Sequence, residues 1–310
     1  MRIFKISFSM LACLGSCLIV SNSVFAAARY WDLNTTTAGA GATPTGTWDT
    51  GTSNWATDAA GTSASTTFAN NDDVYFAAGT DATNNYTVTV SGGVTVNSIN
   101  VEADGGADVT ITGGSGISLF ATTTTIDVAS SRTLTIASQI VGSNNLSKSS
   151  AGNLIVSGAN TYSGSTAVTA GTMFVASGGS LATGTGTTVS ASAILGGEGT
   201  LNGNMTLATD GIVSAGDAAN DIGSLALNGT NDFTNGVYYF EINDAEGATA
   251  GTDYDEITST GTIDFAGLSG NALTIKIRNV TSGFYTSVMI FGLILLVGQG
   301  FFHRFKRAKN

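Results

Sequence analysis

The sequence predicts an all-β protein whose chain winds into a right-handed parallel β-helix, or β-solenoid. Short apolar runs alternate with Thr or Ser, and Gly or Asn interrupts them every few positions. Glycine supplies 41 of the 310 residues, which suits tight corners, and the single proline suits a long hydrogen-bonded ladder. A β-sandwich is the alternative fold. Related units recur without two-residue hairpin turns, and this favours the solenoid.

Residues 1–26 read as a signal peptide. Two basic residues precede an apolar stretch at positions 6–20, and small residues before Ala27 offer a cleavage site. A lipoprotein signal is the alternative, because Leu14-Gly15-Ser16-Cys17 resembles a lipobox. Cleavage after residue 26 would remove both cysteines, so the mature protein would contain no thiol.

Residues 27–80 are predicted to form an N-terminal cap. This region contains all three tryptophans, Trp31, Trp48 and Trp55, together with the only proline. The first coil of a solenoid has an open end, and bulky aromatic side chains can close it. The alternative is that the three tryptophans form a platform on which sugar rings stack.

Residues 81–282 are predicted to form the solenoid body. Its apolar runs are three to six residues long, too short for each to bury a face alone, but stacked coils share one core. An internal repeat supports this prediction. Residues 152–162 match residues 223–233 in their glycine, alternating apolar, asparagine and aromatic positions.

Residues 152–176 carry the strongest motif, GNLIVSGANTYSGSTAVTAGTMFVA. Its fixed positions are Gly152, Leu154, Val156, Gly158, Asn160, Thr161, Tyr162, Ser163, Gly164, Thr166, Val168, Gly171, Thr172 and Val175. The string resembles the autotransporter-associated β-strand repeat. This resemblance implies a β-helix of the passenger type, and it says nothing about the ligand.

Residues 283–302 are predicted to be a transmembrane or sorting helix, followed by a basic cytoplasmic tail at 303–310. The apolar stretch is long enough to cross a bilayer, and Lys and Arg follow it directly. The arrangement resembles tripartite C-terminal sorting signals, although their Pro-Glu-Pro motif is missing. A hydrophobic terminal strand of the main fold is the alternative.

Charge excludes nucleic acid as a partner. All 22 acidic residues lie between Asp32 and Asp264, whereas six of the 11 basic residues lie in the two end segments. Without those segments the body carries five basic residues and a formal charge of −17. Binding to nucleic acid requires basic side chains that neutralise phosphates.

The sequence predicts no catalytic residues, no cofactor and no metal ion. The only histidine, His303, follows the predicted membrane helix, so the exported body has no imidazole base or ligand. Carboxylate pairs occur at Asp72–Asp73, at Asp217 with Asp221, and at 253–256. They could serve a glycosidase or hold Ca²⁺, but we interpret them as solvated corners.

We therefore expect a non-catalytic solenoid scaffold at the bacterial cell surface or in the envelope, either adhesin-like or structural. It would be exported and anchored in a membrane by its C-terminal helix, unless C-terminal processing releases it. Its ligand is unknown, with polysaccharide or envelope components as candidates. The alternative is an extracellular β-helix enzyme that acts on polysaccharide. Such an enzyme would gather several carboxylates with Lys or Arg on one face.

Overall fold

The computed structural model describes residues 26–103, 107–181, 184–216, 221–244, 247, 249–264, 274–279 and 285–289. Within these ranges every regular secondary-structure element is a β-strand, so the all-β prediction is confirmed for the described residues. None of these residues belongs to a helix long and apolar enough to cross a bilayer. The predicted signal peptide (except Ala26) and the predicted basic tail lie outside the described residues.

The strands are short and follow one another closely. The first part of the chain contains β1 (Ala28–Trp31), β2 (Gly46–Trp48), β3 (Trp55–Ala56), β4 (Asp72–Phe76), β5 (Tyr86–Val90), β6 (Gly93–Val101), β7 (Val109–Gly113), β8 (Gly116–Leu119) and β9 (Thr123–Val128). The middle contains β10 (Thr133–Ile136), β11 (Ile140–Val141), β12 (Asn145–Ser149), β13 (Asn153–Val156), β14 (Thr166–Val168), β15 (Thr172–Val175), β16 (Ser180–Leu181), β17 (Thr187–Val189) and β18 (Ile194–Gly197). The last part contains β19 (Thr200–Asn202), β20 (Met205–Leu207), β21 (Ile212–Ala215), β22 (Ser224–Asn228), β23 (Thr230–Asp232), β24 (Val237–Ile242), β25 (Glu256–Ser259), β26 (Thr262–Asp264), β27 (Thr274–Asn279) and β28 (Tyr285–Met289).

The strands form three sheets with 13, 11 and 4 members. The 13-stranded sheet runs β26-β23-β20-β17-β14-β12-β9-β6-β4-β1-β3, with β8 paired to β6 and β11 to β8. The 11-stranded sheet runs β2-β5-β7-β10-β13-β15-β18-β21-β24-β27-β28, and the small sheet runs β16-β19-β22-β25. Neighbours pair in parallel, apart from β1 with β3 and β27 with β28. The chain visits the sheets in turn, so the fold is a parallel β-solenoid of the right-handed type.

Alternation along each strand and register between strands together build the core. On the 11-stranded sheet, register places one inward side chain of each strand directly above that of the strand before it. One such column contains Leu134, Leu154, Met173, Leu195 and Val213, all fully buried. These columns join into one apolar core from Trp31 to Phe233. Strands of three to five residues are stable here because each turn buries the face of its neighbours.

Five aromatic side chains of residues 27–80 pack at the N-terminal end of this core. Trp31, Trp48 and Trp55 are fully buried, and Phe68 and Phe76 are nearly so. The ring centroids of Trp31 and Trp55 lie 4.9 Å apart, and those of Trp48 and Trp55 lie 5.5 Å apart, both edge to face. The same residues add strands to the solenoid sheets, because β4 pairs with β6 and β2 with β5.

The structure corrects the predicted helix at 283–302 over its first part. Residues Tyr285–Met289 form β28, which pairs antiparallel with β27. Strand β27 would otherwise present an open edge of the sheet, and the β-branched and aromatic residues of β28 suit a strand that covers it. Residues 290–302, the remainder of that prediction, lie outside the described residues.

The two copies of the internal repeat, residues 152–162 and 223–233, lie in different sheets. The first copy contains β13 of the 11-stranded sheet, whereas the second contains β22 of the small sheet. Both patterns alternate in the same way, and either sheet accepts a strand with one inward face. The repeat in sequence is therefore not a repeat in position.

Candidate functional site

The motif at 152–176 makes one circuit of the solenoid. Strand β13 lies in the 11-stranded sheet, β14 lies in the 13-stranded sheet, and β15 returns to a position directly above β13. The predicted apolar positions Leu154, Val156, Val168 and Val175 are all fully buried. The motif thus specifies a unit of the stack.

The motif glycines lie where the preceding turn leaves no space. A Cβ atom at Gly152 would stand 2.2 Å from the carbonyl oxygen of Ala129, and one at Gly164 would stand 2.2 Å from that of Asn144. Gly171 has a φ of 64°, a conformation that side chains disfavour. These positions require glycine because successive turns approach backbone to backbone.

The polar motif residues Asn160, Tyr162 and Thr166 are buried and bond within the stack. Asn160 accepts a hydrogen bond from the backbone N–H of Ile140 at 2.7 Å and donates one to the carbonyl of Ser180 at 2.8 Å. It therefore joins the turn before it to the turn after it. The hydroxyls of Tyr162 and Thr166 share a buried hydrogen bond. Among the fixed positions of the motif only Thr161 and Ser163 are exposed, so these positions offer little to a ligand.

The strongest candidate for a ligand site is a row of outward side chains on the 13-stranded sheet. Register aligns Tyr30, Tyr75, Asn100, Asp127 and Ser149 on consecutive strands β1, β4, β6, β9 and β12. Because paired strands are about 4.8 Å apart, the row is about 19 Å long and runs parallel to the solenoid axis. All five side chains are partly exposed.

The row changes from large to small side chains after its second member, and this step creates a cleft. The rings of Tyr30 and Tyr75 stack with centroids 4.8 Å apart at an interplanar angle of 23°. The next strand contributes Asn100, which leaves the side of Tyr75 that faces away from Tyr30 without an aromatic neighbour in the row. The cleft has a volume of about 450 Å³ and is lined by Tyr75, Asn100, Val101, Glu102, Ala103, Asp127 and Ala129.

Hydrogen bonds hold the polar walls of the cleft in place. Asn100 donates from Nδ2 to the carbonyl of Val74 and to the hydroxyl of Ser98, both at 3.0 Å. The hydroxyls of Ser149 and Ser150 both donate to Oδ2 of Asp127 at 2.8 Å. Among the described residues no donor reaches Oδ1 of Asp127. The cleft therefore presents acceptor oxygens in fixed positions beside an aromatic ring.

The electrostatic environment of the cleft is acidic. Partial burial raises the pKa of Tyr75, and the neighbouring Tyr30, Asp73, Glu102 and Asp127 raise it further. The side chains that line the cleft include two carboxylates and no basic group. The cleft thus favours a neutral or cationic ligand over an anion.

The predicted carboxylate pairs form structural contacts where the structure describes them. Asp72 forms an ion pair with Arg29 at 2.8 Å, and Asp73 accepts hydrogen bonds from Asn97 and Ser98. Asp255 is buried and accepts from the backbone N–H groups of Gly223 and Glu241.

Asp253 accepts from the N–H of Thr249, and Asp217 lies outside the described residues. Within the described ranges no group of three or more His, Cys, Asp or Glu could hold a metal ion. In that part of the chain, nothing supports the carboxylate pairs as a Ca²⁺ site.

The predicted tryptophan platform is not accessible to a ligand. The side chains of Trp31, Trp48 and Trp55 have no exposed surface, so none presents a ring face to solvent. The Nε1–H of Trp31 donates to the carbonyl of Pro44 at 2.6 Å inside the cluster. The three rings lie within the apolar core, and the partly exposed aromatic rings nearby are those of Tyr30 and Tyr75.

The sequence does not reveal the cleft, because the residues of the cleft are far apart in the chain. Tyr30, Tyr75, Asn100 and Asp127 belong to four strands, and no motif connects them. The signal that could have found them is register: each lies next to a buried apolar or aromatic position on its strand. Aligning those buried positions turn by turn would have placed the four residues in one row.

Comparison with known proteins agrees with this architecture. A family model described as the passenger-associated-transport repeat matches residues 146–173, which overlap the motif at 152–176. A stretch of 160 residues, 51% of the chain, is 36% identical to the adhesin BmaC autotransporter of Brucella suis biovar 1 (strain 1330). That stretch covers 4% of the length of the adhesin. The chain thus contains a repeat similar to those of autotransporter passengers, within a parallel β-solenoid.

Proposed function

We propose that the protein is a non-catalytic β-solenoid scaffold displayed at the bacterial surface or in the envelope, where it acts as an adhesin. The observation that carries this proposal is the passenger-type repeat within a continuous stack of parallel strands. The relative named as an adhesin supports the same role. A stack whose turns share one core is stiff and can hold outward side chains at fixed spacing.

The outward surface of the 13-stranded sheet suits contact rather than chemistry. Beyond the cleft, register aligns Thr125, Ser147, Ala167, Thr188 and Thr206, which form a row of small and mostly hydroxyl side chains. Such a row gives a flat face that can lie along an extended partner. The acidic body, with a formal charge of −17, favours solubility outside the cell.

Three basic side chains in the described part of the chain, Arg29, Lys148 and Lys276, do not form the exposed group with carboxylates that a polysaccharide-cleaving enzyme would require. Arg29 is engaged with Asp72, and Lys148 is fully buried. Lys276 lies 5.2 Å from the ring centroid of Tyr239, on the other large sheet. The second candidate function, an extracellular β-helix enzyme, rests on Glu102 and Asp127 in the cleft.

The test uses the full-length protein produced in a non-adherent bacterium. Cell fractionation and protease treatment of intact cells should find the protein exported and accessible, and the cells should attach to surfaces more than cells without it. Cells that export the protein but do not attach would contradict the adhesin role. Reproducible release of reducing sugar from a polysaccharide, abolished by Asp127→Asn, would favour the enzyme instead.

A further inference from the structure

We propose that the cleft beside Tyr75 binds one neutral or amino sugar unit of a glycan that lies along the solenoid axis. This proposal rests on the adhesin function and names the class of ligand. We call the five residues Tyr30, Tyr75, Asn100, Asp127 and Ser149 the axial row, and the cavity between Tyr75 and Asp127 the axial cleft.

The first reason to expect a sugar is the aromatic ring of Tyr75 at one side of the axial cleft. Tyr30 stacks on the side of Tyr75 that faces away from the cleft, so the ring of Tyr75 cannot tilt freely. A pyranose ring presents an apolar face of C–H groups, and such a face packs on an aromatic ring in preference to water. The stacked pair is thus a preformed surface, and little ordering is required on binding.

The second reason to expect a sugar is the pair of polar side chains in the cleft. Asn100 and Asp127 lie on the two strands that follow Tyr75, and their own hydrogen bonds to Ser98, Ser149 and Ser150 fix their orientation. Fixed acceptor oxygens at the side of an apolar surface match the hydroxyl groups around the edge of a sugar ring. A purely apolar ligand would leave Oδ1 of Asp127 without a hydrogen-bond donor, which disfavours its binding.

Charge narrows the class of sugar. The lining carboxylates Glu102 and Asp127 would repel uronates, sulfated sugars and phosphorylated sugars at neutral pH. A neutral sugar avoids this repulsion, and the ammonium group of an amino sugar is attracted by it. We therefore expect preference in the order amino sugar, neutral sugar, acidic sugar.

The direction of the glycan follows from the axial row. The polar side chains continue in register past the cleft to Ser149 on β12, and the row is about 19 Å long from end to end. A glycan that enters the cleft with one unit can lie along the following strands with the next. Oligomers should therefore bind more tightly than the monosaccharide.

The experiment measures binding of full-length protein to three immobilised probes of equal length: glucosamine oligomers, glucose oligomers and galacturonate oligomers. We expect the first two to bind and the third not to bind. Tyr75→Ala should weaken binding about three- to tenfold, the range expected for loss of one aromatic contact. Tyr75→Phe keeps the ring and should stay within about twofold of the wild type.

Two further variants separate binding from folding. Ala129→Gln places a larger side chain in the cleft and keeps both stacked tyrosines, and it should abolish binding with an unchanged circular dichroism spectrum. Thr188→Ala lies on the same sheet face outside the cleft and should bind as the wild type does. The proposal is overturned if no probe binds, if galacturonate oligomers bind equally well, or if folded Ala129→Gln protein keeps full affinity.

Attachment of cells separates this proposal from the adhesin function. If cells with the wild-type protein attach and cells with Ala129→Gln attach equally, the adhesin function stands and the axial cleft is not its ligand site. If wild-type cells do not attach although the purified protein binds sugar, the adhesin function fails and the cleft remains a sugar site.

Discussion

At the residue scale, the close approach of successive turns decides which side chains are allowed. Glycine is required where one backbone lies against the next, and the same contact makes the fold sensitive to a single methyl group. Residues on the outward face meet no such restriction. The exposed Thr188 and Thr206 can therefore be changed with little effect on the free energy of unfolding.

Gly164→Ala should destabilise the protein by about 1–3 kcal/mol or more, because the new Cβ would stand 2.2 Å from the carbonyl oxygen of Asn144. Chemical denaturation should report the loss as a lower midpoint. Gly51→Ala is the matched control, since its Cβ would meet only Asp49 Oδ1 at 3.6 Å. Equal midpoints for both variants would contradict the close approach of the turns.

Also at the residue scale, Lys148 should make the free energy of unfolding depend on pH. Its side chain is fully buried, and its Nζ donates to the carbonyls of Ser149, Ser150 and Ala170 at 2.7, 2.7 and 3.2 Å. Burial lowers the pKa of Lys148 to about 8, although the nearby carboxylate of Asp127 opposes this shift. The three carbonyls also favour the ammonium form.

Between pH 8 and 10.5 the unfolded chain holds the lysine proton and the folded chain releases it. The free energy of unfolding should therefore rise with pH in this window, by at most about 1.4 kcal/mol per pH unit. Lys148→Met has no titrating group there and should show a flatter profile. Denaturation at a series of pH values checks this, and a profile unchanged by the substitution would show that the lysine stays charged in the fold.

At the element scale, the junction between β22, β24 and β25 depends on one buried carboxyl. Asp255 accepts hydrogen bonds from the backbone N–H of Gly223 at 3.1 Å and of Glu241 at 2.8 Å. Burial raises the pKa of Asp255 to about 8, against the effect of these two N–H donors. The nearby carboxyls of Glu241 and Asp221 add to the rise.

Because the folded state keeps this proton up to about pH 8 and the unfolded chain loses it near pH 3.8, the free energy of unfolding should fall as pH rises through that window. The slope is at most about 1.4 kcal/mol per pH unit. Asp255→Asn cannot ionise and should remove this decrease. Amide hydrogen exchange in β24 and β25, followed from pH 5 to 8, measures it locally. Exchange that speeds up equally in the variant, after correction for intrinsic rates, would rule the carboxyl out.

Also at the element scale, β28 covers the edge of β27. A chain ending at residue 279 should leave β27 as an open parallel edge, whereas a chain ending at residue 289 keeps the pair. We expect the shorter chain to self-associate and to exchange the β27 amides faster. Sedimentation and hydrogen exchange on the two chains decide this, and identical behaviour would mean that β28 contributes nothing to the edge.

At the scale of the whole molecule, stability is distributed along the axis. Most contacts join one turn to the next, so distant turns influence each other only through those between them. Lys148 lies on β12 and Asp255 directly precedes the distant β25, so their opposite pH dependences should appear in different amides. The buried aromatic cluster ends the core at one end, and the axial cleft lies on the outer face of that same end.

The sequence by itself determined the class of fold. Alternating apolar residues such as those at Leu154 and Val156 fix which side of a strand is buried, and glycines such as Gly171 mark corners, because both effects are local. The structure confirms the all-β solenoid in the residues it describes.

Only the tertiary structure decided which residues meet. Strand register joins Tyr75 to Asn100 and Asp127 across 25 residues or more of chain, and nothing in the local sequence encodes that distance. The same reason explains why Tyr285–Met289 was predicted as helix: an apolar run satisfies a bilayer and a sheet edge equally well, and only β27 shows which one is nearby. Local patterns specify faces and corners, whereas neighbours in space specify sites.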